Sequence, residues 1–177
     1  MTVTYSSYLH LDELLAAQQP LSQGPEHDEM LFIVIHQVYE LWFKQLLHEA
    51  AHLAAALEQD ELPRVYATLK RFLTILKVQV AQIDILETMS PVSFLSFRAR
   101  LDTASGFQSP QFRELEFVLG RRSARMIAHH AGTPAADRLA AMLYEPSLWD
   151  QFVQFLVRHG YGVPQELLER DRSLPNP

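Results

Sequence analysis

The chain has 177 residues, of which 48% are hydrophobic and 20% charged, with a formal net charge of −6 at pH 7 and no cysteine. A domain of this length can bury about 70% of the surface that its unfolded chain exposes, so its stability requires neither a disulfide nor a structural metal. The lack of cysteine excludes disulfides and thiolate metal sites. The charges are interspersed without a long basic run, which argues against nucleic acid or an anionic membrane as a partner.

The start of the chain has no features of a targeting segment. It contains no basic region followed by an unbroken apolar stretch, and no apolar run in the sequence approaches the ~20 residues that cross a bilayer. We therefore expect a cytoplasmic protein that does not enter a membrane.

The N-terminal residues predict a short amphipathic segment and then a loop. Leu11, Leu14 and Leu15 lie at helical spacing within residues 10–19. Residues 20–25 contain two prolines, a serine and a glycine, which is the composition of a loop.

A long helix is predicted from about Asp28 to Gln59, because acidic residues occupy its first turn and apolar residues recur at helical period beyond it. Its first half, within the run HDEMLFIVIHQVYELWFK at 27–44, is apolar nearly all round. Such a segment is expected to be buried, which places His36 inside the protein. The two apolar stripes are Phe32, His36, Tyr39, Phe43 and Leu47, and Leu31, Ile35, Val38, Trp42 and Leu46.

A second long helix is predicted from Pro63 to Met89, after a break at residues 60–63. Alanines at positions 50, 51, 54, 55 and 56 of the first helix allow a neighbouring helix to approach closely, so we expect the two long helices to lie antiparallel. The apolar stripe of the second helix is Val65, Leu69, Phe72, Leu76, Val80 and Ile83.

Proline, serine and glycine signals divide the rest of the chain into short helices. Ser109-Pro110 is typical of a helix start and Gly120 of a helix end, and Thr133-Pro134 repeats the start signal. No segment alternates with period two. The prediction is an all-α helical bundle in a single domain spanning 1–177. Its shorter elements are helices at 92–101, 110–119, 134–144 and 146–159, a last turn or two at 164–171, and a turn at 102–106.

Most familiar active-site patterns are missing from the sequence. His48 and His52 have the i, i+4 spacing of two zinc ligands, but they lie near the polar Gln45 and Glu49 without an evident third ligand, so a solvated helix face is the favoured interpretation. The sequence contains neither a nucleophile elbow nor a glycine-rich phosphate loop.

His36 and Arg98 each allow two interpretations. His36 is either a core histidine satisfied by one hydrogen bond or the polar group of an aromatic pocket. Arg98, which follows Phe94 and Phe97, is by itself typical of a surface arginine. Taken together, a guanidinium that can bind a carboxylate through two hydrogen bonds and an imidazole in an aromatic slot fit an aromatic amino acid whose ring carries an N–H.

These residues resemble the tryptophan 2,3-dioxygenase family, haem enzymes that use dioxygen to open the indole ring of L-tryptophan to N-formylkynurenine in the kynurenine pathway. The resemblance covers nearly the whole chain and corresponds to the N-terminal two thirds of the family fold. The matching motifs are YSSYLHLD at 5–12, the run at 27–44, LETMSP at 86–91, FR at 97–98, SGFQS at 105–109, QFR at 111–113, EPSLWD at 145–150 and LERD at 168–171.

The resemblance implies a role for each matched residue. Phe32 would flank the indole, and His36, as the catalytic residue, would accept a hydrogen bond from the indole N–H. Arg98 would hold the substrate carboxylate, and Ser105 would lie near the haem edge and the substrate ammonium. In the family, the N-terminal segment reaches into the pocket of a neighbouring subunit. The resemblance therefore implies a homo-oligomer, which is a tetramer in the family. The further substrate-binding residues are Ile33, Val34, Ile35 and Phe94, with Tyr5, Tyr8 and Leu9 in that N-terminal segment.

The sequence departs from the family pattern in two respects. Phe94 stands where bacterial members carry tyrosine, which removes a hydrogen bond worth about 1.5–3 kcal/mol to a charged acceptor, and Ile83 stands where some members carry tryptophan. The family's axial histidine lies in a segment resembling RFRH, before a loop rich in glycine and threonine. Neither occurs here, so the resemblance places the iron ligand beyond Pro177 and leaves binding of b-type haem open. The alternatives are a shortened relative without haem that binds an aromatic amino acid or a partner subunit, and a related haem oxygenase with another aromatic substrate.

Overall fold

The computed structural model describes residues 2–102 and 104–176, and every regular element within them is helical. The all-α prediction is confirmed. The elements are α1 (Tyr5–Leu9), α2 (Leu11–Ala16), α3 (Asp28–Glu58), α4 (Leu62–Leu86), α5 (Pro91–Arg98), α6 (Pro110–Val118), α7 (Ala124–Ala128), α8 (Pro134–Met142), α9 (Leu148–Arg158) and α10 (Gln165–Leu168), with 3-10 turns at Ala99–Leu101 and Gly106–Gln108.

The chain folds into two compact units, and each unit is built from two stretches of sequence. Unit 1 comprises Met1–Tyr39 and Val80–Ala104, and unit 2 comprises Glu40–Gln79 and Ser105–Pro177. The long helices α3 and α4 therefore contribute to both units. The single domain over 1–177 stays a prediction. Among the described helices, none combines the length and the hydropathy that a membrane crossing needs.

In unit 2 the second half of α3 and the first half of α4 run antiparallel, as predicted. Val65 packs against the apolar cluster that contains Leu57, whereas Phe72 shares a cluster with Leu46. Moving forward along α4 thus means moving backward along α3, which defines an antiparallel pair. Asp60, in the left-handed region with φ 57°, lies in the turn between the two helices.

The buried face of α4 differs from the predicted stripe. Leu69, Val80 and Ile83 were expected to face inward, but all three are exposed. The buried residues of this helix are Thr68, Phe72, Ile75 and Gln79. The physical reason is that α4 carries apolar side chains on more than one side, so spacing alone does not identify the side that packs.

The start and stop signals of the shorter helices behave largely as predicted. The Ser109 hydroxyl accepts a hydrogen bond from the Phe112 N–H at the start of α6, and Gly120 follows that helix with φ 94°. Thr133 precedes α8 in an extended conformation, but its side chain makes no capping hydrogen bond. The helices α1 and α7 were not predicted, because five residues are too few to display a periodic pattern. In the predicted turn at 102–106, Thr103 lies outside the described residues.

Candidate aromatic-ring site

A cavity of about 420 Å³ opens beside His36 in unit 1. The first half of α3, the end of α4 and the start of α5 supply its walls. The lining is apolar except for the His36 imidazole and the Ser90 hydroxyl, and it consists of Phe32, His36, Leu86, Met89, Ser90, Pro91 and Phe94. The Ser90 hydroxyl already accepts a hydrogen bond from the Ser93 N–H as the cap of α5, so His36 is the main polar group of the cavity.

Three phenylalanine rings hold α3 against α5 at this cavity. The centroid of the Phe32 ring lies 5.8 Å from that of Phe94 and 5.6 Å from that of Phe97. The rings of Phe94 and Phe97 meet edge to face at 5.6 Å, and Phe97 is fully buried. These spacings are those of favourable aromatic pairs, so the cavity has flat walls fixed by packing.

The hydrogen bonding of His36 determines which of its ring nitrogens can serve a ligand. Its Nδ1 lies 2.7 Å from the Phe32 carbonyl oxygen, which can only accept, so Nδ1 carries the proton and donates. In the neutral ring, Nε2 is then an acceptor. The nitrogen that remains for a ligand is therefore matched to a ring N–H.

The same local arrangement recurs at His159 in unit 2. Its Nδ1 lies 2.9 Å from the Phe155 carbonyl oxygen, and the ring centroids are 4.1 Å apart in both phenylalanine–histidine pairs. His159, however, lies at the end of α9 with its Nδ1 4.0 Å from an Asp60 carboxylate oxygen. A histidine four residues after an aromatic residue is thus a local helical feature, and the aromatic cavity distinguishes His36.

The predicted full burial of the first half of α3 is wrong. Ile35 is buried and Ile33 half-buried, but Met30 and Val34 are exposed, and His36 is only half-buried. The reason is that α5 covers one side of α3, while the described part of unit 1 leaves the side of Met30 and Val34 uncovered.

The structure brings together Phe32, His36 and Phe94, but it does not place Arg98 in the described lining of the cavity. Arg98 ends α5, and its Nη1 donates a hydrogen bond of 2.9 Å to the Asp102 carbonyl oxygen. A guanidinium has five N–H donors, so this bond leaves others for a carboxylate. The predicted role of Arg98 stays a prediction.

The remaining predicted site residues, Ile33, Val34 and Ile35 among them, are not in the described lining of this cavity. Ser105 belongs to unit 2, where its hydroxyl accepts a hydrogen bond of 3.3 Å from the Phe107 N–H. Tyr5, Tyr8 and Leu9 lie on α1, and all three are exposed. Their predicted roles stay predictions.

Several residues in and near the cavity were not predicted for the site. They are four residues of the lining and one buried glutamate on α3. Leu86, Met89, Ser90 and Pro91 lie where α4 ends and α5 begins, and the LETMSP motif was the available signal for them. Glu29 lies one turn before Phe32 and is 1% exposed. Its local sequence gives no sign of its partners, because those are backbone N–H groups.

The Glu29 carboxylate is held in its charged form. Its two oxygens accept hydrogen bonds from the N–H groups of Leu21, at 2.7 Å, and Ser22, at 2.9 Å. Burial raises the pKa of the Glu29 carboxyl, but the hydrogen bonds from Ser22 and Leu21 and the positive charge of Arg100 outweigh it, so the pKa lies below its ordinary value.

The histidine pair on α3 has the His-Glu-x-x-His spacing of zinc hydrolases, but its glutamate is committed elsewhere. Glu49 is 3% exposed and accepts hydrogen bonds from Arg71 Nη1, at 3.0 Å, and Gln45 Nε2, at 2.7 Å. His48 and His52 are exposed, as expected for a solvated face. Across residues 2–102 and 104–176, no three side chains with metal-ligand chemistry come together.

Fold and cavity together define the class of this protein: an all-α protein with an aromatic cavity that presents one imidazole acceptor. The tryptophan 2,3-dioxygenase family model matches residues 1–145. The chain is 54% identical to the tryptophan 2,3-dioxygenase of Herpetosiphon aurantiacus over 169 residues, which cover 96% of this chain and 65% of that protein. The enzyme of the same name from Anaeromyxobacter sp. (strain K) is 56% identical over 163 residues, covering 92% and 61%.

This chain belongs to the tryptophan 2,3-dioxygenase family. It spans 61% to 65% of the length of these two relatives.

Proposed function

We propose that this chain forms the substrate-binding part of a haem-dependent dioxygenase that opens the indole ring of L-tryptophan with dioxygen to give N-formylkynurenine. The observation that carries the proposal is the His36 imidazole, whose Nδ1–H is committed to the Phe32 carbonyl and whose Nε2 remains an acceptor at an aromatic cavity. Membership in the family supports the reaction class, and L-tryptophan is the ligand whose flat ring and N–H match this cavity.

The residues of this chain bind and orient the amino acid. Phe32 and Phe94 provide flat walls for the indole, and His36 Nε2 accepts a hydrogen bond from its N–H. Arg98 holds the carboxylate through the donors that the Asp102 carbonyl leaves free. Holding the substrate at both ends fixes the indole C2–C3 bond in one orientation, which lowers the entropic part of the barrier. In this role His36 positions the substrate and need not remove the indole proton.

The described lining of the cavity offers haem apolar contact but no ligand for its iron. The apolar walls of the cavity suit a flat group, but His36 is the only cavity residue in the described lining with a nitrogen that could ligate iron, and the proposal uses that nitrogen for the indole. The described lining therefore supplies no axial ligand. When bound, haem supplies the dioxygen chemistry, and the protein supplies orientation.

The proposed assembly is a homotetramer in which Tyr5, Tyr8 and Leu9 of one copy reach the substrate pocket of another. The exposure of all three side chains supports this arrangement, because large apolar groups tend to be buried in an assembly. The cytoplasmic location stays a prediction.

The test is a titration of the hemin-reconstituted protein with L-tryptophan, followed by the shift of the Soret band and by product formation under dioxygen. We expect His36→Ala and Arg98→Ala each to weaken tryptophan binding by about tenfold or more, since each removes a hydrogen bond worth roughly 1–3 kcal/mol. His159→Ala is the matched control, because it removes an imidazole with the same local geometry outside the cavity. Unchanged tryptophan affinity in Arg98→Ala, on protein shown to contain haem, would contradict the proposal.

A second candidate function is that of a haem-free protein that binds an aromatic amino acid. The lack of a second nitrogen ligand in the described lining of the cavity favours it. A flat visible spectrum after incubation with hemin, together with intact tryptophan binding, would support this candidate. A Soret band that shifts with tryptophan would exclude it. The Phe94 and Ile83 positions also leave open an oxygenase of another aromatic substrate, which turnover of L-tryptophan would contradict.

A further inference from the structure

Glu29 is a buried carboxylate that the proposed chemistry does not use. It is 1% exposed, and burying a charge is costly unless strong hydrogen bonds compensate. Its compensation comes from two successive backbone N–H groups, those of Leu21 and Ser22, each at less than 3.0 Å. The carboxylate therefore holds the loop at 20–25 against the first turn of α3.

Gln37 makes a second link from α3 to the N-terminal part of the chain. Its Nε2 donates a hydrogen bond of 3.1 Å to the Ala17 carbonyl oxygen, and its Oε1 accepts one of 2.5 Å from Gln18 Nε2. Gln37 lies eight residues after Glu29, about two helical turns further along α3 and roughly 80° around its axis. The two side chains thus hold the chain at two points, just after α2 and in the loop beyond it.

The N-terminal arm, defined here as residues 2–19, has little else to fix its direction. Neither α1 nor α2 contributes a buried residue, and the arm has large exposed apolar side chains, among them Tyr5, Tyr8 and Leu15. Segments with few buried contacts open at low cost in free energy. The direction of the arm therefore depends on the polar contacts at its base.

We propose that Glu29 and Gln37 are positioning residues. They fix the direction of the N-terminal arm from α3, the helix that also carries Phe32 and His36. The functional importance of this positioning rests on the proposed function, in which Tyr5, Tyr8 and Leu9 complete the pocket of another copy. The positioning itself does not depend on that function, because the mobility of the arm can be measured directly.

The experiment is amide hydrogen exchange of the whole chain, comparing wild type with Glu29→Gln and Gln37→Ala. We expect exchange of the amides in α1 and α2 to accelerate by about 10- to 100-fold in Glu29→Gln, the factor that corresponds to losing hydrogen bonds to a charged group. For Gln37→Ala we expect about tenfold, since its lost bonds are neutral. Circular dichroism at the same temperature establishes that both variants remain folded.

The matched controls are Glu49→Gln and Gln45→Ala on the same helix. Glu49 is also buried and Gln45 donates to it, but both lie in unit 2 and neither makes a hydrogen bond to the described residues of the arm. We expect these variants to lower the unfolding temperature without changing exchange in the arm. Exchange in the arm that stays at the wild-type rate in Glu29→Gln and Gln37→Ala, or that rises equally in the controls, would overturn the proposal.

A second readout separates this proposal from the proposed function. If both hold, Glu29→Gln and Gln37→Ala raise the KM for L-tryptophan of the reconstituted assembly and change kcat less, because the arm acts through the pocket wall and not at the reacting atoms. A mobile arm in a protein that shows no tryptophan binding would keep the positioning role and reject the enzymatic one.

Discussion

Single residues in this protein acquire their roles from their surroundings and not from their local bonds. His36 and His159 each donate from Nδ1 to the carbonyl of a phenylalanine four residues earlier. One of them then faces an aromatic cavity, and the other lies at a helix end near Asp60. Sequence alone predicted the stripe of Phe32 and His36, because helical period is local information. The cavity depends on packing between separate helices.

Buried His130 makes the stability of the folded protein depend on pH. Burial, and then the positive charges of Arg113 and His129, lower the pKa of its imidazole below the ordinary value of 6.5. The unfolded chain therefore binds this proton more readily than the folded chain, so stability falls as pH drops through about 6.5 towards the folded pKa. His130→Gln is expected to flatten this part of the profile.

The measurement for His130 is the free energy of unfolding by urea between pH 8 and pH 5, for wild type and variant. His52→Gln is the control, because His52 is exposed and is not among the groups that shift the pKa of His130. A wild-type profile that stays flat below pH 6.5, or the same slope in His130→Gln, would contradict the assignment.

At the scale of elements, the helix ends were predictable and the buried faces were not. Ser109 and Gly120 bracket α6 as expected, because capping and left-handed stops are properties of a few adjacent residues. Thr68 and Gln79 are buried on α4 although both are polar, because the side on which α4 packs is set by the neighbouring helices. The burial of Glu29 was also not predicted, because its partners are backbone N–H groups of a loop that precedes α3.

A substitution at Gly120 tests how the C-terminal end of α6 is stabilised. Gly120 has φ 94°, and a Cβ at this position would fall on the side-chain amide of Asn176. Gly120→Ala is therefore expected to lose roughly 1–3 kcal/mol to backbone strain, with a further loss from displacing Asn176. Gly132→Ala is the matched control, because Gly132 has φ 79° but open space around its Cβ position.

Thermal and urea unfolding of both glycine variants give the comparison. The expected order of stability is wild type, then Gly132→Ala, then Gly120→Ala. Equal losses in the two variants would mean that the contact with Asn176 contributes nothing to the stop.

At the scale of the whole molecule, the similarity to the family extends over most of the chain and far beyond the residues that line the cavity. The family model matches residues 1–145, and the two relatives align over 92% and 96% of the chain. The all-α fold followed from the sequence, whereas the division into two units did not, because α3 and α4 run continuously through both. Those two helices carry the periodic signal, and a periodic signal does not mark where one packed unit ends and the next begins.

The exposed aromatic residues of α1 predict the behaviour of the assembly. Tyr5 and Tyr8 are 77% and 74% exposed, which leaves large apolar groups available for a neighbouring copy. The double variant Tyr5→Ser/Tyr8→Ser is expected to shift the protein from the proposed tetramer towards smaller species in analytical ultracentrifugation. Tyr66→Ser is the control, because Tyr66 on α4 is 75% exposed and outside the arm. An unchanged distribution of species would count against a role of the arm in assembly.

The most direct test of the account is a calorimetric binding cycle that combines a change in the protein with a change in the ligand. L-tryptophan and its analogue methylated at the indole nitrogen are each titrated into wild type and His36→Ala. The account predicts that wild type binds the methylated analogue about tenfold or more weakly, because the His36 acceptor loses its donor, and that this preference disappears in His36→Ala. A preference for L-tryptophan that is equally large in both proteins, or no preference in wild type, would contradict the account.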